Sequence, residues 1–199
     1  MGSMRLLSIL AFAAALALPP AARADEEIAV GLPAPGFTLR TLNPDESGAV
    51  TVRLDRFVGP EAEDPAAKVV LLSFYASWCG PCRKEMPHLQ QLHLLYREQG
   101  LRVLAVSIDR DESGIAEARN MARAAHVTFP VLTDRFNLLA RRYLGEEAPL
   151  PSVFLIARDG TIARIERGYG KDAASFLLGD VQRALGTAAR SARAARAAE

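Results

Sequence analysis

The sequence predicts an α/β fold, a central mixed sheet flanked by helices. Three observations lead to it. Two nearly continuous apolar runs, "VVLLSFYA" (Val69 to Ala76) and "LRVLAVSID" (Leu101 to Asp109), have the character of strands covered on both faces. Each is followed by a stretch with apolar residues at helical spacing. Late in the chain, "SVFLIARDGTIARIERG" has the form of an antiparallel hairpin turning at Asp159-Gly160. Half of the 199 residues are apolar and 24% are charged, the balance of one soluble globular domain. A net charge of +1 gives no reason to expect nucleic acid or a strongly acidic partner.

The elements follow in order. "FTLRTL" (Phe37 to Leu42) and "AVTVRL" (Ala49 to Leu54) alternate apolar and polar residues around the turn-rich "NPDESG", and predict an N-terminal β-hairpin. The polar loop "GPEAEDPAAK" leads to the Val69 strand. From Gly80 to Glu98 the period becomes helical, with Met86, Leu89, Leu92 or His93, and Tyr96 on one stripe and Gly100 as the stop. After the Leu101 strand, "ESGIAEARNMARAAHV" predicts an amphipathic helix, "FPVLTD" a short strand or extended segment, and "NLLARRYL" another helix. The late hairpin and a last helix, "DAASFLLGDVQRAL", close the domain. The right-handed crossover rule puts the Val69 and Leu101 strands side by side or nearly so.

Two terminal segments stand apart from this domain. Met1-Gly2-Ser3 reads as vector-derived, with Met4 the natural start. Met4-Arg5, the apolar run Leu6 to Leu18, and Ala22-Arg23-Ala24 before "DEE" form the three-part pattern of a secretory signal peptide over residues 1–24. A retained membrane anchor is the alternative; the run is shorter than the roughly 20 apolar residues a span needs and meets Pro19-Pro20. The mature chain is expected to begin near Asp25, outside the cytoplasm, with a domain over 25–185 and an Ala/Arg-rich tail over 186–199. That tail reads as a solvated helical extension.

The only cysteines, Cys79 and Cys82, lie in "FYASWCGPCRKEMPHL". A structural staple is poorly served by this spacing, because cross-link stabilisation grows with the length of chain closed. A metal site needs about four ligands. Only His88, His93 and His126 are available, and His88 and His93, on one helix, point about 140° apart. A redox pair has a mechanism. Cys79 falls where a strand ends and Cys82 in the first helical turn, where free N–H groups and the helix dipole favour a thiolate. Pro81 sits early in the helix, where its missing N–H does no harm. On this reading Cys79 is the exposed attacking thiol and Cys82 the more buried one that resolves the mixed disulfide.

"WCGPC", with Pro87 five residues beyond Cys82, resembles a thioredoxin-fold active site. "WCGPCRKEMP" is similar to the extracytoplasmic TlpA/ResA branch, with its W-C-x-P-C-x-x-E-x-P pattern. The likeness extends to "GLPAPGFTL", to the strand–helix unit inserted after "VSID", and to "PLPSVFLIARDGTI". It implies a thioredoxin-like fold with that inserted unit, and a thiol–disulfide oxidoreductase needing no cofactor and no metal. It also implies that Pro151 is a cis proline facing the disulfide, with Leu150 positioned to pair with an incoming peptide; Pro149 is the rival. Trp78, Gly80 and Pro81 would shape the docking surface. Glu85 would handle the proton of Cys82, a carboxyl whose pKa burial would raise, the alternative being a solvated glutamate. One departure stands out. Thioredoxins of the cytoplasm carry a buried aspartate six residues before the first cysteine, where this chain has Ser73. Arg83 and Lys84 read as solvated.

The resemblance implies a reductant in the periplasm. Its partners would be disulfide-containing proteins, apocytochrome c among them, with a membrane thiol reductase as electron donor and no stable membrane insertion of the mature chain. Two alternatives stand. One is a thiol peroxidase, although the P-x-x-x-T-x-x-C arrangement is absent. The other is a Cu(I) metallochaperone using both cysteines and Met86.

Overall fold

The computed structural model describes residues 28–146, 149–170 and 177–186. The signal-peptide reading and nearly all of the basic tail lie outside these residues, as does the first part of the last predicted helix. Among the described residues no helix is long and apolar enough to cross a membrane.

The main sheet has five strands: β3 (Val69–Tyr75), β4 (Leu101–Ser107), β5 (Val131–Thr133), β6 (Ser152–Ala157) and β7 (Ile162–Arg167). Their spatial order is β5-β4-β3-β6-β7. β3, β4 and β5 run parallel, and β6 and β7 run antiparallel to their neighbours, so the sheet is mixed. β3 is central and buried along its whole length, which explains its unbroken apolar sequence. Val69 pairs with Leu101 and Tyr75 with Ser107, so the two apolar strands are adjacent and in register, as expected.

Two core layers cover the sheet. Val69, Leu71 and Tyr75 project to one side, against α2 (Gly80–Tyr96), α3 (Glu112–Ala124) and the helix α5 (177–186). Val70, Leu72 and Phe74 project to the other, against α4 (Leu138–Leu144) and the N-terminal segment. Phe74, Tyr143 and Phe154 pack there as an aromatic trio with ring centroids 5.0–5.8 Å apart. The late hairpin turns at Asp159-Gly160: Gly160 takes φ +91°, and the Asp159 carboxylate accepts from the Thr161 N–H at 2.9 Å.

The N-terminal hairpin is smaller than the sequence suggests. Its strands β1 (Thr38–Arg40) and β2 (Thr51–Arg53) have three residues each and form their own two-stranded sheet. Much of the intervening stretch is a single helical turn, α1 (Pro44–Ser47), begun by Pro44 and ended by Gly48 in a left-handed conformation. Buried Asn43 fastens the hairpin to the sheet edge. Its amide donates to the Phe129 carbonyl and accepts from the Val131 N–H, each at 2.9 Å. The α3 helix ends three residues sooner than expected, at Ala124, where the chain turns through His126 at φ +51°.

Candidate active site

The site is built where β3 and β4 end and β6 begins. Beyond Tyr75 the chain leaves the sheet through Ala76-Ser77-Trp78 and enters α2 at Cys79. The Cys79 N–H donates to the Ala76 carbonyl at 3.1 Å, and the Ile108 N–H to the Tyr75 carbonyl at 3.0 Å. Cys79 is the N-cap of α2, in extended conformation, with its Sγ accepting from the Cys82 N–H at 3.1 Å. A sulfur thus takes the place of the usual capping oxygen. Charge on it is favoured by one of the helix's free N–H groups and by the positive end of the dipole. Gly80 and Pro81 open the helix and are exposed.

Cys79 and Cys82 are joined as a disulfide with their Cα atoms 5.3 Å apart. Cys82 is 1% exposed and Cys79 only 5%. The expectation of an exposed Cys79 is therefore corrected. In the disulfide its sulfur is turned toward Cys82 and the helix N–H groups, so only a sliver of the pair meets solvent. Trp78, by contrast, is 73% exposed and fills no core.

Glu85 lies one helical turn beyond Cys82 and is 3% exposed, so the solvated alternative does not hold. It faces the sheet, where the Ser73 hydroxyl donates to its carboxylate at 2.8 Å. Burial pushes its pKa up to about 7, against a smaller opposing pull from that hydrogen bond. Ser73, the departure noted in the sequence, is thus the direct partner of the acid on α2. Met86 is buried in the same core cluster as both cysteines.

Leu150-Pro151 is a cis peptide, as the resemblance implied; the bond before Pro149 lies outside the described residues. Phe74 pairs with Ser152, so Pro151 falls beside the end of β3, from which the chain leads to Cys79. The Gly168 N–H donates to the Pro151 carbonyl at 2.7 Å, and Leu150 packs against both core layers. His88 is half-buried and shares a 2.5 Å hydrogen bond with the Tyr169 hydroxyl. His93 packs edge-on to Phe129, and His126 is exposed in the loop beyond α3. Among the described residues no cluster of three or more His, Cys, Asp or Glu could hold a metal ion.

One residue escaped the sequence reading. Buried Asp109, just beyond β4, accepts from the Ser77 N–H (2.9 Å), the Ser77 hydroxyl (2.7 Å) and the Ser107 hydroxyl (2.8 Å). It holds the loop that carries Trp78 and Cys79. The available signal was an acid closing an apolar strand, in "VSID".

The family model described as "AhpC/TSA family" matches residues 30–165. The chain belongs to the AhpC/TSA family. Within it, the chain is 33% identical over 141 residues to the thiol-disulfide oxidoreductase ResA of Geobacillus kaustophilus, covering 71% of each protein. It is 35% identical over 123 residues to a ResA of Bacillus cereus, covering 62% of this chain and 67% of that one. Among solved structures it is similar to a Chlorobium tepidum protein described as a thiol:disulfide interchange protein DsbE. The TM-score is 0.66 at 28% identity, over 80% of this chain and 99% of that one. A Bacteroides thetaiotaomicron protein described as a protein disulfide isomerase gives a TM-score of 0.65 at 26% identity, over 80% and 91%. This AhpC/TSA family member has the thioredoxin-like fold and is a thiol–disulfide oxidoreductase, whose substrates are disulfide-containing proteins in general.

Proposed function

We propose that the exchange takes place at Cys79 and Cys82, in an extracytoplasmic protein that reduces the disulfides of other proteins. The observation that carries this reading is the Cys79 sulfur capping α2 and accepting the Cys82 N–H. In the reduced protein the Cys79 thiolate attacks one sulfur of the substrate disulfide. A mixed disulfide forms and the first substrate thiolate leaves. Cys82 gives its proton to the Glu85 carboxylate and attacks the Cys79 sulfur. The Cys79–Cys82 disulfide closes, and the second substrate sulfur leaves as a thiolate that takes up a proton. Two electrons pass from the protein's dithiol to the substrate.

A carboxyl with a pKa of about 7 suits this role, because near neutral pH it both accepts and returns a proton readily. Trp78, Gly80, Pro81, Leu150 and Pro151 border the site and would bind the substrate chain. Extracytoplasmic action rests on the signal-peptide pattern of residues 1–24, with a mature domain over 25–185 and the tail over 186–199. Apocytochrome c is one candidate substrate, and a membrane thiol reductase the candidate electron donor.

Replacing Cys82 with serine tests the assignment. The variant accumulates partner proteins disulfide-linked to Cys79 in the periplasm, and adding Cys79→Ser abolishes them. Absence of such adducts from a folded C82S protein defeats the proposal, and tight Cu(I) binding without disulfide reduction supports the metallochaperone instead. The N-terminal residue of the exported protein, expected at Asp25, tests the location.

A further inference from the structure

Tyr169, just beyond the outer strand β7, reaches back to the helix that carries the cysteines. Its hydroxyl shares a 2.5 Å hydrogen bond with Nδ1 of His88, and the two rings stack with centroids 6.0 Å apart. His88 lies on α2 one turn beyond Glu85, and both partners are half-buried. Among the described residues this is the one side-chain hydrogen bond between α2 and the chain that forms or leaves the β6–β7 hairpin. Burial, and next the charge of Glu85, push the Tyr169 pKa up, so the hydroxyl keeps its proton near neutral pH.

The other end of this tie is the segment beside the disulfide. Gly168, at φ +81°, turns the chain off β7, a conformation that favours glycine. Its N–H donates to the Pro151 carbonyl at 2.7 Å. This bond carries the β6–β7 ladder one step past the Ser152–Arg167 pair, and Pro151 has no N–H to return a second. A short line therefore runs from His88 through the Tyr169 hydroxyl and the Gly168 N–H to Pro151. The Ser152 hydroxyl donates to the Pro149 carbonyl at 2.6 Å, which stiffens the segment internally without tying it to α2.

We propose that His88 and Tyr169 are positioning residues for disulfide exchange: their hydrogen bond holds the Leu150-Pro151 segment at a fixed distance from the helix start at Cys79. The inference rests on the substrate-chain contact at Leu150 and Pro151 proposed above. His88 is nine residues along α2 from Cys79, about 14 Å at the helical rise, so it does not touch the reacting sulfur. Its effect passes through the backbone line to Pro151. A peptide chain lying between Cys79 and Leu150-Pro151 senses that line. A small disulfide that needs only the Cys79 sulfur does not.

The test compares two disulfides opened by the pre-reduced protein. One is the disulfide-linked dimer of a short single-cysteine peptide; the other is hydroxyethyl disulfide, which has no peptide backbone. In each case two thiols form as the Cys79–Cys82 disulfide closes, and the second-order rate of thiol release is measured. Tyr169→Phe keeps the ring and removes the hydroxyl. It should lower the peptide rate about two- to tenfold, the range one hydrogen bond supports, and change the hydroxyethyl disulfide rate less than about 1.5-fold. The ratio of the two rates does not depend on the fraction of active protein. His88→Ala should give the same loss, and the double variant no more than either single one. His88→Asn, which restores a donor and an acceptor near the Nδ1 position, should recover most of it. Hydrogen exchange at the Gly168 amide should speed up in Y169F and H88A. Tyr96→Phe, which removes the Gln182–Tyr96 hydrogen bond between α5 and α2, should leave both the ratio and the Gly168 exchange unchanged. Unchanged Gly168 exchange in Y169F and H88A overturns the tie, whatever the rates do. Faster Gly168 exchange with an unchanged ratio overturns the positioning role. If the reduced wild type opens neither disulfide while Cys79 still alkylates, the exchange at Cys79 has failed, and the positioning role with it.

Discussion

Replacing Glu85 with glutamine should change how stability depends on pH. In the folded protein burial raises the Glu85 pKa to about 7 from its ordinary value of 4.5. The folded state therefore holds this proton more tightly than the unfolded chain does. By linkage, the carboxyl costs nothing below the unfolded pKa, and its penalty grows as pH rises through the folded value. At 1.36 kcal/mol per unit, the folded protein should lose about 3 kcal/mol between roughly pH 4.5 and 7.5 from this group alone. E85Q lacks that loss. At pH 5 the variant should be no more stable than the wild type, since one amide N–H is left buried without its partner, at about 1–2 kcal/mol. By pH 8 the difference should have moved about 3 kcal/mol in the variant's favour. Urea unfolding of the oxidised proteins at several pH values measures this, with Cys79 and Cys82 locked and unable to titrate. His88, His93 and His126 are common to both proteins and cancel in the difference. Parallel pH profiles for wild type and E85Q would refute the raised pKa and leave the proton-handling role without a basis.

Further predictions concern the framework. Asp109→Ala strips the acceptor from three buried or half-buried donors and should cost about 2–4 kcal/mol in urea unfolding. It should also speed hydrogen exchange at the Ser77 and Cys79 amides; unchanged exchange there would count against Asp109 as the residue positioning the loop. Asn43→Ala removes both hydrogen bonds that tie the N-terminal segment to Phe129 and Val131, and should lower stability by about 2–3 kcal/mol. A loss below about 0.5 kcal/mol would show that the hairpin is held by packing instead.

The fold was legible because its central strands are buried on both faces and its helices have one wet side. Continuous apolar runs and helical periods follow directly from those environments. The N-terminal stretch was harder to read. Pro44 and Gly48 serve equally well as turn residues and as the two ends of one helical turn, and the choice is made by Asn43 gripping the sheet edge 86–88 residues away. The two cysteines and their place at a helix start were readable from local spacing. The pairing of Ser73 with Glu85 was not, because it depends on which face of β3 looks at α2, a tertiary fact. Asp109 was missed for the same reason. Its donor Ser77 sits in the loop beyond β3, 32 residues away in sequence, and no local pattern links the two.

The central claim is that Cys79 and Cys82 form a reversible couple on the reducing side. Its most direct test equilibrates the protein in dithiothreitol buffers of graded potential, alkylates the free thiols and counts them by mass. The expected result is one two-electron step, with both cysteines opening together, at a midpoint closer to thioredoxin, about −270 mV, than to DsbA, about −120 mV. A disulfide that stays closed across the whole range, or a midpoint at the oxidising end, would contradict it.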